Sequence, residues 1–292
     1  MNVAQIPIAA RWTLYALGAV DGQRVRRPRD PVAAWLLRRQ PTLLPPTAIP
    51  SVLTMIRART SVVDRMIEEE VARARADGSG IAYWGFASGF DARWYRLLAL
   101  VGDVIRSHRE VDDADVLALK SELLAESTFA RQWTRIRQHR LEALDWAVES
   151  EPGTFPLVVL EGAATRIGIP ALKAMLGRIR EATPTARVIV DLPGVLDDRP
   201  SVAPPQPAFG RGRWGAVQES AASAISTRDL RLLGWRVVDD TGLCARPELR
   251  GPSGSVMCAG MEALRVLRLE SDERPVGADG VPSAETGSPA KP

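Results

Sequence analysis

Apolar positions recur every three or four residues through several long stretches, and short unbroken apolar runs bounded by turn residues lie between them. From Ser51 to Ala76, Val52, Met55, Ile56, Val62, Val63, Met66, Ile67 and Val71 form one helical stripe, which Asp77-Gly78-Ser79-Gly80 stops. Ile81 to Phe86 is an apolar run of strand length. The small-residue turn Ala87-Ser88-Gly89 follows it, and Trp94, Leu97, Leu98 and Val101 then fall on one side of a new helix. A second strand fits Val104 to Val111 and closes on Asp112, with helix resuming over Asp115 to Leu124. Residues 125–150 are helical and amphipathic in pattern, with no strand among them. Phe155 to Leu160 and Ala186 to Val190 read as strands separated by a helix over Pro170 to Glu181.

The flanks are less regular. Asp30 to Gln40 predicts a short helix with Pro31 in its first turn, ended by the proline-rich Pro41 to Pro50. Pro193 to Gly215 reads as a long loop; Leu230 to Asp239 and Val256 to Leu269 can supply a last helix and two strands. From Ser271 onward no periodicity remains, which predicts a disordered tail. Strands alternating with helices imply a mostly parallel sheet covered on both faces. In such a sheet a ligand sits at the carboxyl ends of the strands, near the switch in strand order. Ala87 to Asp91, Asp112, Glu161 to Ala164 and Asp191 all follow predicted strands and so share one rim.

Composition narrows the function classes. With 46% hydrophobic and 25% charged residues the chain can build an ordinary globular core. No apolar run approaches the roughly 18 residues of a membrane span, and Met1 to Ala10 lacks the pattern of a secretory signal, so a cytoplasmic location is expected. Cys244 and Cys258, and His108 and His139, are the whole complement of those types, with no metal-ligand spacing. No metal is expected. The pI of 9.2 reflects a net charge of only +3. The densest basic patch, Arg24, Arg26, Arg27 and Arg29, has no interleaved aromatics for stacking bases, and reads as a solvated arm rather than a nucleic-acid surface.

A small-residue turn lets backbone approach a ligand, and an acid about twenty residues further on can accept hydrogen bonds from both ribose hydroxyls of a nucleoside. The same residues also suit an ordinary strand-to-helix turn with a helix-capping Asp. A dinucleotide oxidoreductase would need a fuller glycine fingerprint than Ala87-Ser88-Gly89 provides.

The stretch Phe86-Ala87-Ser88-Gly89-Phe90-Asp91-Ala92-Arg93, with Arg96-Leu97 after it, resembles the Leu-Gly-Ala-Gly-Leu-Asp-Thr-Arg turn of the leucine carboxyl methyltransferase family. Upstream, Asp30-Pro31-Val32-Ala33 and Arg59-Thr60 with Asp64 are similar to that family's N-terminal motif and pre-strand helix. Downstream, Glu110-Val111-Asp112 with Lys120 and Leu123, then Leu160-Glu161-Gly162, Asp191 and Gly234-Trp235, continue the resemblance in order. It implies an α/β fold: a doubly wound, mostly parallel seven-stranded sheet of the Rossmann-like class I methyltransferase type, with N-terminal helices. Residues 1–50 would be a helical arm or cap, 51–270 the methyltransferase domain and 271–292 the tail.

By this resemblance the cofactor is S-adenosylmethionine. Arg59 would hold its methionine carboxylate, Ala87 and Gly89 would line its approach and Asp112 would bind its ribose. Glu161 would stand at the cofactor and, with Arg166, at the chemistry. The implied reaction is O-methylation of a carboxylate or hydroxyl on a small-molecule acceptor, without nucleic acid or membrane. Three departures stand out: Ala87 replaces the first family glycine, Arg166 replaces a tyrosine five residues after the Glu, and the third strand with its Asp-Leu pattern is blurred. These are also the changes expected of a non-methylating or non-catalytic member of the fold.

Overall fold

The computed structural model describes residues 6–18, 30–47, 49–130, 136–140, 152–193, 225–243 and 264–271. Helices α1 (Ile8–Gly18), α2 (Pro31–Arg39) and α3 (Pro50–Asp77) lead into strand β1 (Gly80–Phe86). Then follow α4 (Arg93–Val101), β2 (Ile105–Asp112), α5 (Ala114–Ala125), β3 (Ile136–Arg140) and β4 (Thr154–Leu160). The remaining elements are α6 (Ala163–Ile167), α7 (Ile169–Ala182), β5 (Arg187–Pro193), α8 (Thr227–Leu232), β6 (Trp235–Gly242) and β7 (Leu264–Ser271). Among the described residues, no helix is long and apolar enough to cross a membrane.

The seven strands lie in the order β3-β2-β1-β4-β5-β7-β6, and only β7 runs antiparallel to its neighbours. Strand order reverses between β1 and β4, which pair in parallel from Gly80↔Thr154 to Gly85↔Val159. That is the switch point at which the carboxyl ends open a crevice.

Alternation within the strands divides the core into two layers. Leu157, Val159 and Ile189 face the α3 stripe of Val62, Val63, Met66, Ile67 and Val71. Val158, Leu160, Val188 and Val190 face Leu172, Leu176 and Ile179 of α7 and the fully buried Trp235, whose indole donates to the Leu176 carbonyl at 3.2 Å. Helix α3 ends as its sequence predicts. Gly78 takes the left-handed conformation, φ 67°, and its N–H caps the Ala74 and Arg75 carbonyls.

One expectation needs correction. The stretch 125–150 does contain a strand: β3 pairs in parallel with β2 from His108↔Ile136 to Asp112↔Arg140. It was hidden because it is an edge strand carrying Arg137, Gln138 and Arg140, with Ile136 as its one fully buried apolar side chain, so no apolar alternation marks it. Helix α1 lies within the helical arm that the resemblance implies for residues 1–50, although no single apolar stripe marks it. Its apolar residues lie on several sides rather than in one stripe, because it packs at once on α2, on α3 and on the turn after β1. The loop expected at 193–215 lies mostly outside the described residues. So do the basic patch of Arg24 to Arg29, both cysteines, and the tail after Ser271.

Candidate cofactor and active site

Most of the residues that carry the family resemblance meet in one buried ionic lattice beneath the carboxyl edge of the sheet. Arg93, at the start of α4, donates to Asp64 at 2.6 Å, to Asp91 at 2.6 Å and to Glu161. Arg96, one turn on, reaches Asp64 at 2.9 Å, Asp30 at 3.0 Å and Asp91 at 3.1 Å. Lys120 of α5, fully buried, joins Glu110 at 2.7 Å to the Asp91 carbonyl at 2.6 Å. Burial pushes Asp91 up, but Arg93 and Arg96 beside it win and hold it down at about 2. Burial pushes Glu110 up to about 7 despite Lys120. Asp91 and Arg93 thus pair across the turn, and Arg96, Lys120 and Asp30 complete the lattice. Their positions on or capping helices were the available signal.

Arg59 of α3 and Glu161 after β4 form the adjoining part. Arg59 donates from Nε to Glu161 at 3.1 Å and from Nη1 to Asp191, in β5, at 3.2 Å. Thr60 donates its hydroxyl to the same Glu161 oxygen at 2.5 Å, and Arg93 takes the other. Burial raises the Glu161 carboxyl, but Arg93 and Arg59 outweigh it and keep it below its usual range. A carboxylate held so by two guanidiniums and a hydroxyl is ill suited to move a proton at neutral pH. Through these bonds Glu161 braces the Arg59 guanidinium at Nε.

Asp112 ends β2 and is completely buried. It accepts Gly89 N–H at 2.6 Å on Oδ2 and Asp113 N–H at 2.6 Å on Oδ1. The helix that follows has Asp113, rather than Asp112, at its N-cap. Arg166 of α6 makes a bidentate pair with Asp112, through Nη1 at 2.5 Å and through Nη2, and Nη2 also reaches Asp113 at 2.5 Å. The residue expected on the acceptor side thus sits on the expected ribose carboxylate.

The turn itself is strained. Ala87 has φ 50° and is the only described non-glycine residue in the left-handed region; Gly89 has φ 53°. A methyl on Gly89 would meet Ala10 Cβ of α1 at 3.2 Å. Gly89→Ala combines that contact with left-handed strain and is expected to cost about 1–2 kcal/mol. Urea unfolding measures it, and an unchanged midpoint would mean that α1 does not rest on this turn.

Above the turn lies a cavity of about 740 Å³. Its floor is Arg59, Thr60, Ala87, Gly89, Asp91, Glu161, Gly162 and Arg166; its roof is Ile8, Trp12 and Thr13 of α1 with Ile49, Val52, Met55 and Ile56. The roof is pinned. Arg11 donates to the carbonyls of Thr42 at 3.0 Å and Leu43 at 3.2 Å, and the Trp12 indole to Thr47 at 3.2 Å.

The model of the leucine carboxyl methyltransferase family matches residues 21–149. Over those residues this chain is similar to the leucine carboxyl methyltransferase family. The match takes in Arg59, Ala87, Gly89 and Asp112, and ends before Glu161 and Arg166. No curated protein matches the chain. Among solved structures, a candidate methyltransferase from Thermobifida fusca YX superposes with a TM-score of 0.51 at 11% identity, over 90% of this chain and 94% of that one. A DUF574 family protein from Streptomyces avermitilis MA-4680 gives 0.48 at 11% identity, over 90% and 97%. Magnesium protoporphyrin IX methyltransferase from Synechocystis PCC 6803, solved with bound S-adenosylmethionine, gives 0.40 at 12% identity, over 76% and 85%. The chain has the class I methyltransferase fold, with one antiparallel strand in its sheet.

Proposed function

We propose that this chain is an S-adenosylmethionine-dependent methyltransferase that methylates an oxygen, carboxylate or hydroxyl, of a small-molecule acceptor. The observation that carries the reading is one cavity at the switch point, floored by Arg59, the Ala87–Gly89 turn and Glu161. Its volume falls within the range of small-molecule and cofactor sites, roughly 300–1,000 Å³. When bound, the cofactor supplies a methyl on a sulfonium leaving group, so the protein has chiefly to align and to exclude water.

Arg59, oriented by Glu161 and Asp191, is the group for the methionine carboxylate. Gly89 and Ala87 line the nucleoside, and Asp112 is the ribose acceptor. The apolar roof of Ile8, Trp12, Val52 and Met55 is the wall against which the acceptor lies. A carboxylate or phenolate acceptor needs no base, in keeping with a Glu161 that both arginines hold ionised.

A second reading, a non-methylating member of the fold, is favoured by two observations. Arg166 occupies Asp112, and Ala10 closes on Gly89. Calorimetry with S-adenosylmethionine, followed by transfer of tritium from its methyl group into any product, separates the two. Binding with transfer supports the methyltransferase; binding without transfer to any acceptor supports the second reading, and no binding removes the cofactor site.

A further inference from the structure

Asp112 has no accepting capacity left. A carboxylate offers about four lone-pair sites. In this protein Oδ1 takes the Asp113 N–H and Arg166 Nη2, while Oδ2 takes the Gly89 N–H and Arg166 Nη1. Two of the donors are backbone groups fixed by the turn after β1 and the start of α5, and cannot leave without moving those elements. The other two belong to one side chain. Arg166 stands on the short α6, lines the cavity and is 11% exposed, and it holds a second carboxylate, Asp113, which is 44% exposed.

We propose that Arg166 is a specificity-determining residue of the cofactor site, an internal competitor that occupies the two Asp112 positions a ribose diol would need. The proposal rests on the methyltransferase reading above. The diol and the guanidinium are both paired donors, and they ask for the same two carboxylate oxygens. A nucleoside therefore gains Asp112 only when the guanidinium turns off it. Asp113 stands at the solvent side, so a displaced Arg166 keeps a charged partner and does not end as a buried lone cation. Affinity for the cofactor is then set by a difference between two sets of hydrogen bonds, and part of the binding free energy goes into releasing Arg166.

Removing the competitor should tighten binding. With full-length protein, Arg166→Ala is expected to bind S-adenosylmethionine about tenfold more tightly than the wild type by calorimetry, a change of about 1.4 kcal/mol. Arg166→Gln, which keeps a polar side chain of similar reach, serves if the alanine variant folds poorly, and it should give a gain in the same direction. The gain must depend on the diol: adenosine should show it, and 2′,3′-dideoxyadenosine should bind wild type and variant alike. Equal or weaker binding by both variants overturns the proposal while leaving the methyltransferase reading intact. An equal gain for the dideoxy nucleoside overturns it as well, since Arg166 would then block space rather than compete for Asp112. Absence of binding to wild type and variants alike overturns the methyltransferase reading, and this inference with it.

Discussion

Replacing Arg93 by alanine is expected to cost the fold about 3–5 kcal/mol, the scale on which removing one partner of a buried ion pair destabilises a protein. The side chain is 5% exposed and neutralises three carboxylates at once: Asp64 on α3, Asp91 on the turn after β1, and Glu161 after β4. Without it, Glu161 keeps Arg59 and Asp64 keeps Arg96, but Asp91 retains only Arg96, shared with Asp30 and Asp64. Four cations, Arg59, Arg93, Arg96 and Lys120, already serve six carboxylates, Asp30, Asp64, Asp91, Glu110, Glu161 and Asp191. Losing one leaves buried negative charge unpaired, in a medium where that is expensive. Arg39→Ala is the control: its pair with Glu126 is 58% exposed on both sides, and its loss should be small. Urea denaturation of both variants measures the contrast. An Arg93 variant as stable as the Arg39 variant would show that the lattice does not hold these elements together.

The second large effect is expected at Asp112, measured where Arg166 cannot obscure it. In the Arg166→Ala background, the further change Asp112→Ala should weaken S-adenosylmethionine binding by about 1–3 kcal/mol, since the ribose hydroxyls lose a charged acceptor. That is roughly five- to 150-fold in Kd. The background matters because Asp112→Ala alone would also take from Arg166 its bidentate partner and leave it only Asp113, mixing a structural penalty with the ligand's loss. Calorimetry on the single and double variants gives the difference directly. Equal affinities would remove Asp112 from the ribose site and move the nucleoside elsewhere along the rim.

Much of the fold could be read from residue order alone. Helix α3, with its stop at Gly78, and strands β1, β2, β4 and β5 lie within a few residues of where periodicity predicts them, because each buries a continuous apolar face or run. The switch-point crevice follows from the same pattern. What escaped had no such face. Strand β3 is a charged edge strand, and α1 is apolar on several sides because it fills a gap between other elements. Residues at strand ends, Asp112, Glu161 and Asp191, were correctly placed on one rim, since strand order fixes that rim however the side chains turn.

Which oxygen each guanidinium takes is a different kind of fact. Arg59, Arg93 and Arg166 are distant in sequence from the carboxylates they hold, and nothing in spacing tells a ligand-facing arginine from one consumed by the protein itself. The sequence therefore determined the sheet, its rim and the residue types on it, since burial and turn chemistry act locally along the chain. Only the tertiary structure decided that Glu161 pairs with Arg59 and Arg93, and that Arg166 fills the Asp112 carboxylate. Those outcomes depend on which charges the packed helices bring within hydrogen-bonding distance, and on how many lone pairs remain once the protein's own donors are served.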